Sequence, residues 1–178
     1  YEIVTNSTDE IDAGHGDSVQ VTIVNDGSLK VVDNGRGIPW QDTTNTPNGQ
    51  PMPACVLSAT HLHAGGKFGG ENAAYSSSGG LNGVGMTACN ALSEYFVLST
   101  SRDGAKRSFT CQDGIVTVPL HVVEKTNKTG TEVQFLPSKN PDYFSEGTDY
   151  RMDDLYEKVK YLPYLIPHLK LTLAHPAE

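Results

Sequence analysis

At 178 residues the chain is sized for one domain with a real hydrophobic core, or for a piece of something larger. Its 37% hydrophobic and 19% charged residues are ordinary for a globular protein, no apolar run reaches the ~20 residues of a bilayer span, and neither a signal peptide nor a membrane role is expected. A formal net charge of -8 argues against this segment gripping a nucleic-acid backbone by itself, without excluding a DNA-acting parent whose basic surface lies elsewhere. Cys55, Cys89 and Cys111 are odd in number, far apart and in no CxxC pattern, which predicts reduced, intracellular core thiols.

From Tyr1 to Asp12 the spacing is helical, with Tyr1, Val4, Thr8 and Ile11 on one stripe and Glu2, Asn6 and Asp9 on another. Because the chain opens inside this helix, a trimmed piece of a longer protein is expected. "SVQVTIVN" alternates with period two, and Asp26-Gly27 turns it into "SLKVVD", which predicts a hairpin. A polar loop is expected from Trp40 to Pro51, and a helix from Pro53 to His61. The glycines then crowd between Gly65 and Gly85, and a helix is predicted from Val84 to Ser93. Strand-like runs follow at "YFVLSTS", "AKRSFTCQ", "IVTVPLHVV" and "GTEVQFLP", with turns at Asp103-Gly104 and Asp113-Gly114. A late helix in "DDLYEKVKYLPYLIP", ended by Pro163, and a last strand "LKLTLA" complete the chain. Helices first and antiparallel strands later predict an α+β two-layer sandwich, a mixed, mostly antiparallel sheet under one helical layer, with residues 1–178 forming one domain.

Three stretches carry candidate chemistry. The Glu2, Asn6, Asp9 stripe offers two carboxylates and an amide on one helical surface; Asn6 can present a carbonyl oxygen to a hard cation such as Mg²⁺, and Glu2 can polarise a water. A solvated polar face explains the same stripe. "VVDNGRGIP" delivers Asp33 at a strand end, followed by Gly35, Arg36 and Gly37: the carboxylate can accept from an exocyclic amine, and the glycines let backbone approach a flat ring, although a plain turn has this composition too. "GGLNGVG" feeds a helix, so free N–H groups and the positive helix end would face a phosphate; the other reading is a flexible surface loop. It is neither a P-loop nor a dinucleotide fingerprint.

Taken in order, the acidic E-x-x-x-N helix, the strand-end D-x-G-x-G, the glycine-rich lid and a later T-G-T resemble the motif set of the GHKL ATPases, which have the Bergerat fold. "NSTDEIDAGH", "DNGRGIP", "LHAGGKF", "GGLNGVG", "NALS" and "KTGTEVQFLPS" resemble, over nearly the whole chain, the ATPase domain shared by the B subunits of bacterial DNA gyrase and topoisomerase IV. The sequence departs from that pattern at Thr5 and Asn34, where Asp is common, and at Asn82, where His is usual.

The resemblance implies ATP and Mg²⁺ as ligands, with Glu2 as general base and Asn6 on the metal. It implies that Asp33 takes the adenine amine, directly and through a water shared with Thr131, while Arg36 pairs with Glu10 over the pocket. Gly37 would admit the ring, and Ile38 and Pro39 would wall it. Lys67 would approach the terminal phosphate, the backbone of Leu81, Asn82, Gly83, Val84 and Gly85 would cradle the phosphates, and Tyr75 would touch the adenine end. Arg102 would stand at the pocket mouth, where competitive ATP-site inhibitors bind. It further implies a cytoplasmic parent that dimerises on ATP, works with an A-type subunit, and meets DNA through parts outside this chain. The chain itself would be a monomer that binds ATP and turns it over poorly. A histidine-kinase-type domain and a non-catalytic nucleotide switch are the alternatives. His61 and His63 form an H-x-H without a third ligand nearby in sequence, so zinc is not expected. His15 is expected to bond the end of the first helix.

Overall fold

The computed structural model describes residues 1–43, 46, 49–62, 84–145 and 147–175. In chain order the elements are helix α1 (Glu2–Asp12), strands β1 (Ser18–Ile23), β2 (Leu29–Asp33), β3 (Asp42–Thr43) and β4 (Met52–Pro53), and helices α2 (Ala54–Thr60) and α3 (Gly85–Ala91). Strands β5 (Ser93–Arg102), β6 (Ala105–Gln112), β7 (Ile115–Lys125) and β8 (Gly130–Pro137) follow, then helices α4 (Met152–Val159) and α5 (Leu162–Leu165) and strand β9 (Lys170–Ala174).

Period-two alternation sets the sheet's two faces. Val19, Val21 and Ile23 of β1 face the same way as Leu29, Val31 and Asp33 of β2, and these residues pair directly, Val19 with Asp33, Val21 with Val31 and Ile23 with Leu29. A one-residue slip would turn every one of them to water, so burial fixes this register. The seven-stranded sheet has the order β7-β6-β5-β8-β2-β1-β9; β1 and β9 are parallel and every other pair is antiparallel. Phe96, Leu98, Phe109, Val133 and Phe135 continue the inward face, and α1 lays Ile3, Val4 and Ile11 upon it. This is the expected sandwich, a mixed and mostly antiparallel sheet under a helical layer.

Three local expectations need correction. Tyr1 does not join the buried stripe of α1; it precedes the helix and is 60% exposed, whereas Val4, Thr8 and Ile11 are buried. The stretch from Trp40 to Pro51 is not all loop, since Asp42–Thr43 pairs with Met52–Pro53 in a two-stranded ribbon. Pro163 does not end the late helix, because α4 stops at Val159 and Pro163 lies in the first turn of α5, where its missing N–H costs nothing. His15 bonds the end of α1 as expected, through its peptide N–H to Glu10 O at 3.1 Å, and His168 joins it there, with a ring nitrogen 2.7 Å from Ile11 O.

At the sheet edge, β7 is exposed almost throughout, with Ile115 the most open of its large hydrophobic residues at 71%. Pro119 and three shifts of register against β6 break its hydrogen-bonding edge, features that discourage strand-on-strand aggregation.

Candidate functional site

The inward column of β2 ends on a carboxylate. Alternation that buries Leu29 and Val31 also buries Asp33, leaving it 8% exposed at the strand's C-terminal end. A charge so placed needs partners. Asp33 Oδ1 accepts from the peptide N–H groups of Gly35 and Thr131, both at 3.0 Å, and Oδ2 accepts from the Ser7 hydroxyl of α1 at 2.9 Å. Burial pushes the Asp33 carboxyl above its usual value; the Gly35, Ser7 and Thr131 donors oppose that shift, and the negative charge of Glu10 adds to it.

The segment after β2 is pinned on every side. Arg36 donates to Glu10 from its peptide nitrogen (3.0 Å), from Nε (2.7 Å) and from Nη2 (2.9 Å). Burial tends to raise the Glu10 carboxyl, but those hydrogen bonds and the charge of Arg36 outweigh it and hold the group below its ordinary value. Gly37 has φ +75°, and a Cβ there would meet Ser101 O at 2.5 Å and Thr100 Oγ1 at 3.0 Å, so chain packing alone already requires glycine. Ile38 is buried and its carbonyl accepts from Thr100 Oγ1 at 2.7 Å; Pro39 beside it is half-buried. Arg102 donates from Nη1 to Gly37 O at 3.1 Å, its side chain partly exposed. Asp33, Thr131, Gly37, Ile38 and Arg102 thus gather around the end of β2.

The first residue of α1 is Glu2, exposed, and one turn along stands Asn6, half-buried. Helical rise sets them ~6 Å apart along the axis. Glu2 rests against the first residue of α3: a Cβ on Gly85 would lie 2.5 Å from Glu2 Oε2 and 2.7 Å from Glu2 Cβ. Val84 is the N-cap of α3. Lys67, Tyr75, Leu81, Asn82 and Gly83, with His63, lie outside the described residues. Among the described residues no three His, Cys, Asp or Glu side chains converge on a metal position. Asn6 instead offers a single amide oxygen. That suits a Mg²⁺ which arrives on phosphates and keeps most of its ligands as phosphate and water oxygens.

Residues 1–140 match the family model described as histidine kinase-, DNA gyrase B-, and HSP90-like ATPase. The chain belongs to this ATPase family. Its similarity within the family runs to the B subunits of topoisomerases. It is 43% identical over 174 residues to the B subunit of DNA topoisomerase 4 from Bacillus subtilis, covering 97% of this chain and 25% of that protein. To the B subunit of DNA gyrase from Streptomyces coelicolor it is 41% identical over 177 residues, covering 99% and 24%. To the B subunit of the type 2 topoisomerase of Aquifex aeolicus it is 42% identical over 173 residues, covering 97% and 21%. The chain therefore spans about a quarter of the length of these relatives.

Two contributions to this GHKL domain escaped sequence reasoning. Ser7 supplies the only side-chain hydroxyl donor to Asp33 among the described residues, and its signal was a small polar residue set four positions after Ile3 and three before Glu10, on the buried side of α1. Trp40 stacks under Arg107, whose Cζ lies 3.8 Å from the ring centroid, and its Nε1 donates to Asp103 Oδ2 at 3.2 Å. The three cysteines are free thiols, and burial raises Cys55 to about 11, so it packs as a hydrophobe and not as a nucleophile.

Proposed function

We propose that this chain is the ATP-binding and ATP-hydrolysing domain of a type II DNA topoisomerase B subunit. ATP-driven dimer closure of the parent would power passage of one DNA duplex through another, in the cytoplasm and with an A-type partner subunit. DNA is met by other parts of the parent. The observation that carries this reading is Asp33, a buried carboxylate with two peptide donors on one oxygen and one hydroxyl on the other, which leaves acceptor capacity for a purine amine.

Each residue then has a task. Asp33 takes the adenine amine, Thr131 steadies the carboxylate through its peptide nitrogen, and Ile38 and Pro39 wall the ring. The Glu10–Arg36 pair covers one side and Arg102 the mouth, where competitive inhibitors would bind. Tyr75 touches the adenine end, Lys67 reaches the terminal phosphate, and the backbone from Leu81 to Gly85 cradles the phosphates. Asn6 holds the Mg²⁺, which supplies neutralisation of phosphate charge. Glu2 takes a proton from the attacking water; the water oxygen bonds to the terminal phosphorus, and the bond to the departing ADP oxygen breaks. Most of the acceleration is positioning and charge neutralisation. The 178-residue chain binds ATP as a monomer and turns it over poorly.

Calorimetry with adenylyl imidodiphosphate tests the purine assignment. Asp33→Asn replaces an acceptor oxygen with a donor, so binding should fall at least about tenfold, the value of a hydrogen bond to a charged group. Unchanged affinity in the folded variant would remove the adenine role of Asp33.

A further inference from the structure

Serine inside a helix ordinarily donates back to the carbonyl four residues earlier or points to water. Ser7 does neither. It is 7% exposed, and its hydroxyl reaches 2.9 Å across to Asp33 Oδ2, on a strand 26 residues away. That bond is charge-assisted, so it offsets the cost of burying the hydroxyl. It also divides the carboxylate's acceptor capacity. The two peptide donors of Gly35 and Thr131 take Oδ1. Ser7 takes one lone pair of Oδ2, and one remains.

We propose that Ser7 is a positioning residue for purine recognition: its hydroxyl locks the Oδ2 edge of Asp33 so that the remaining lone pair is aimed at an exocyclic amine. The inference rests on the adenine reading given above and adds a determinant of base discrimination to it. Without the hydroxyl the carboxylate is anchored through Oδ1 alone and can turn about its last torsion, which is broad and soft for Asp. A water or a turned carboxylate then competes for the amine. Among the described residues Glu10, itself paired with Arg36, is the charge that acts on Asp33, and the donors from β8 and the post-β2 segment are backbone groups that no substitution at position 7 alters.

The test compares ATP with purine riboside 5′-triphosphate, which lacks only the amine, on the 178-residue chain by calorimetry. In the wild type ATP should bind about tenfold or more tighter than the amine-free analogue. Ser7→Ala should shrink that ratio about three- to tenfold by weakening ATP while leaving the analogue unchanged. The near-isosteric pair Ser7→Thr and Ser7→Val isolates the hydroxyl: Thr should keep the ratio and Val should lose it, and this comparison stands if the alanine variant misfolds. A ratio that is unchanged or larger in both Ser7→Ala and Ser7→Val overturns the proposal. No discrimination by the wild type would instead overturn the adenine reading, so the two failures are distinct.

Discussion

Arg36 meets Glu10 with three donors, one from its own peptide and two from the guanidinium, and the two side chains are only 26% and 11% exposed. The arrangement fixes the backbone that follows β2 as well as the charge. Arg36→Met should cost about 1–3 kcal/mol at neutral pH, because it leaves a half-buried carboxylate short of donors. Chemical denaturation read by circular dichroism measures it; a cost near zero would mean that the pair is mere surface decoration.

Acid dependence separates the two site carboxylates by sign. The folded Glu10 carboxyl lies below its usual 4.5, so its stabilisation is complete above that value and is lost as pH falls through the lowered one. Asp33 is shifted the other way. Above its usual 3.8 and below its raised value the folded state holds a proton that the unfolded chain has released, so stability from this group falls as pH rises through that window. Glu10→Gln should therefore flatten the acid limb of a stability–pH profile, and Asp33→Asn should steepen it. The same change of slope in both variants would contradict these assignments.

Gly37 and Gly49 share a left-handed backbone, φ +75° and +70°, but differ in surroundings. A Cβ at Gly37 would press on the Ser101 carbonyl, while at Gly49 nothing lies within 4 Å. Gly49→Ala should cost about 1 kcal/mol, the conformational term alone. Gly37→Ala should cost clearly more, about 2–4 kcal/mol, because backbone must also shift. Equal melting temperatures for the two variants would remove close packing as the reason for Gly37.

Much of this was legible because it is local or periodic. The column Leu29, Val31, Asp33 follows from period two, and the Asp103-Gly104 and Asp113-Gly114 turns take positive φ at both residues, as hairpin turns require. What stayed hidden depends on partners distant in sequence. Ser7 finds Asp33 across 26 residues and His168 finds Ile11 across 157, and neither spacing leaves a mark in a local window. The β3–β4 ribbon has two residues in each strand, too few for any period to be read.

Gly85 tests the other end of α1. Alanine is the better helix former by about 0.8–1 kcal/mol in a helix interior, and only part of that gain applies at Gly85, the first residue of α3. Its methyl, however, would claim the space of Glu2 Cβ, Cγ and Oε2. If Glu2 is the general base, the full-length subunit carrying Gly85→Ala should lose at least about tenfold in ATP turnover while still unfolding cooperatively, at a melting temperature lowered by the displaced Glu2 side chain, since general-base work depends on placement. Turnover at the wild-type rate would show that the contact between Glu2 and α3 has no part in the chemistry.

Trp40 is the chain's one tryptophan, and it joins the segment after Pro39 to the β5–β6 hairpin. Arg107 covers its ring, and Asp103 Oδ2 accepts from Trp40 Nε1 at 3.2 Å and from Gln41 Nε2 at 3.1 Å. Arg102, next along the hairpin, reaches Gly37 O and so links this cluster to the turn that follows β2. Arg107→Ala removes the cation from the ring and should cost about 0.5–2 kcal/mol while shifting the single-tryptophan emission. The same emission should respond to adenylyl imidodiphosphate, because a ligand beside Gly37 pulls on a carbonyl that Arg102 holds. Trp40→Phe, which keeps the ring and loses the bond to Asp103, should cost less than Trp40→Ala. If Phe and Ala were equally costly, the stability would lie in the indole N–H and the stacked guanidinium would contribute nothing.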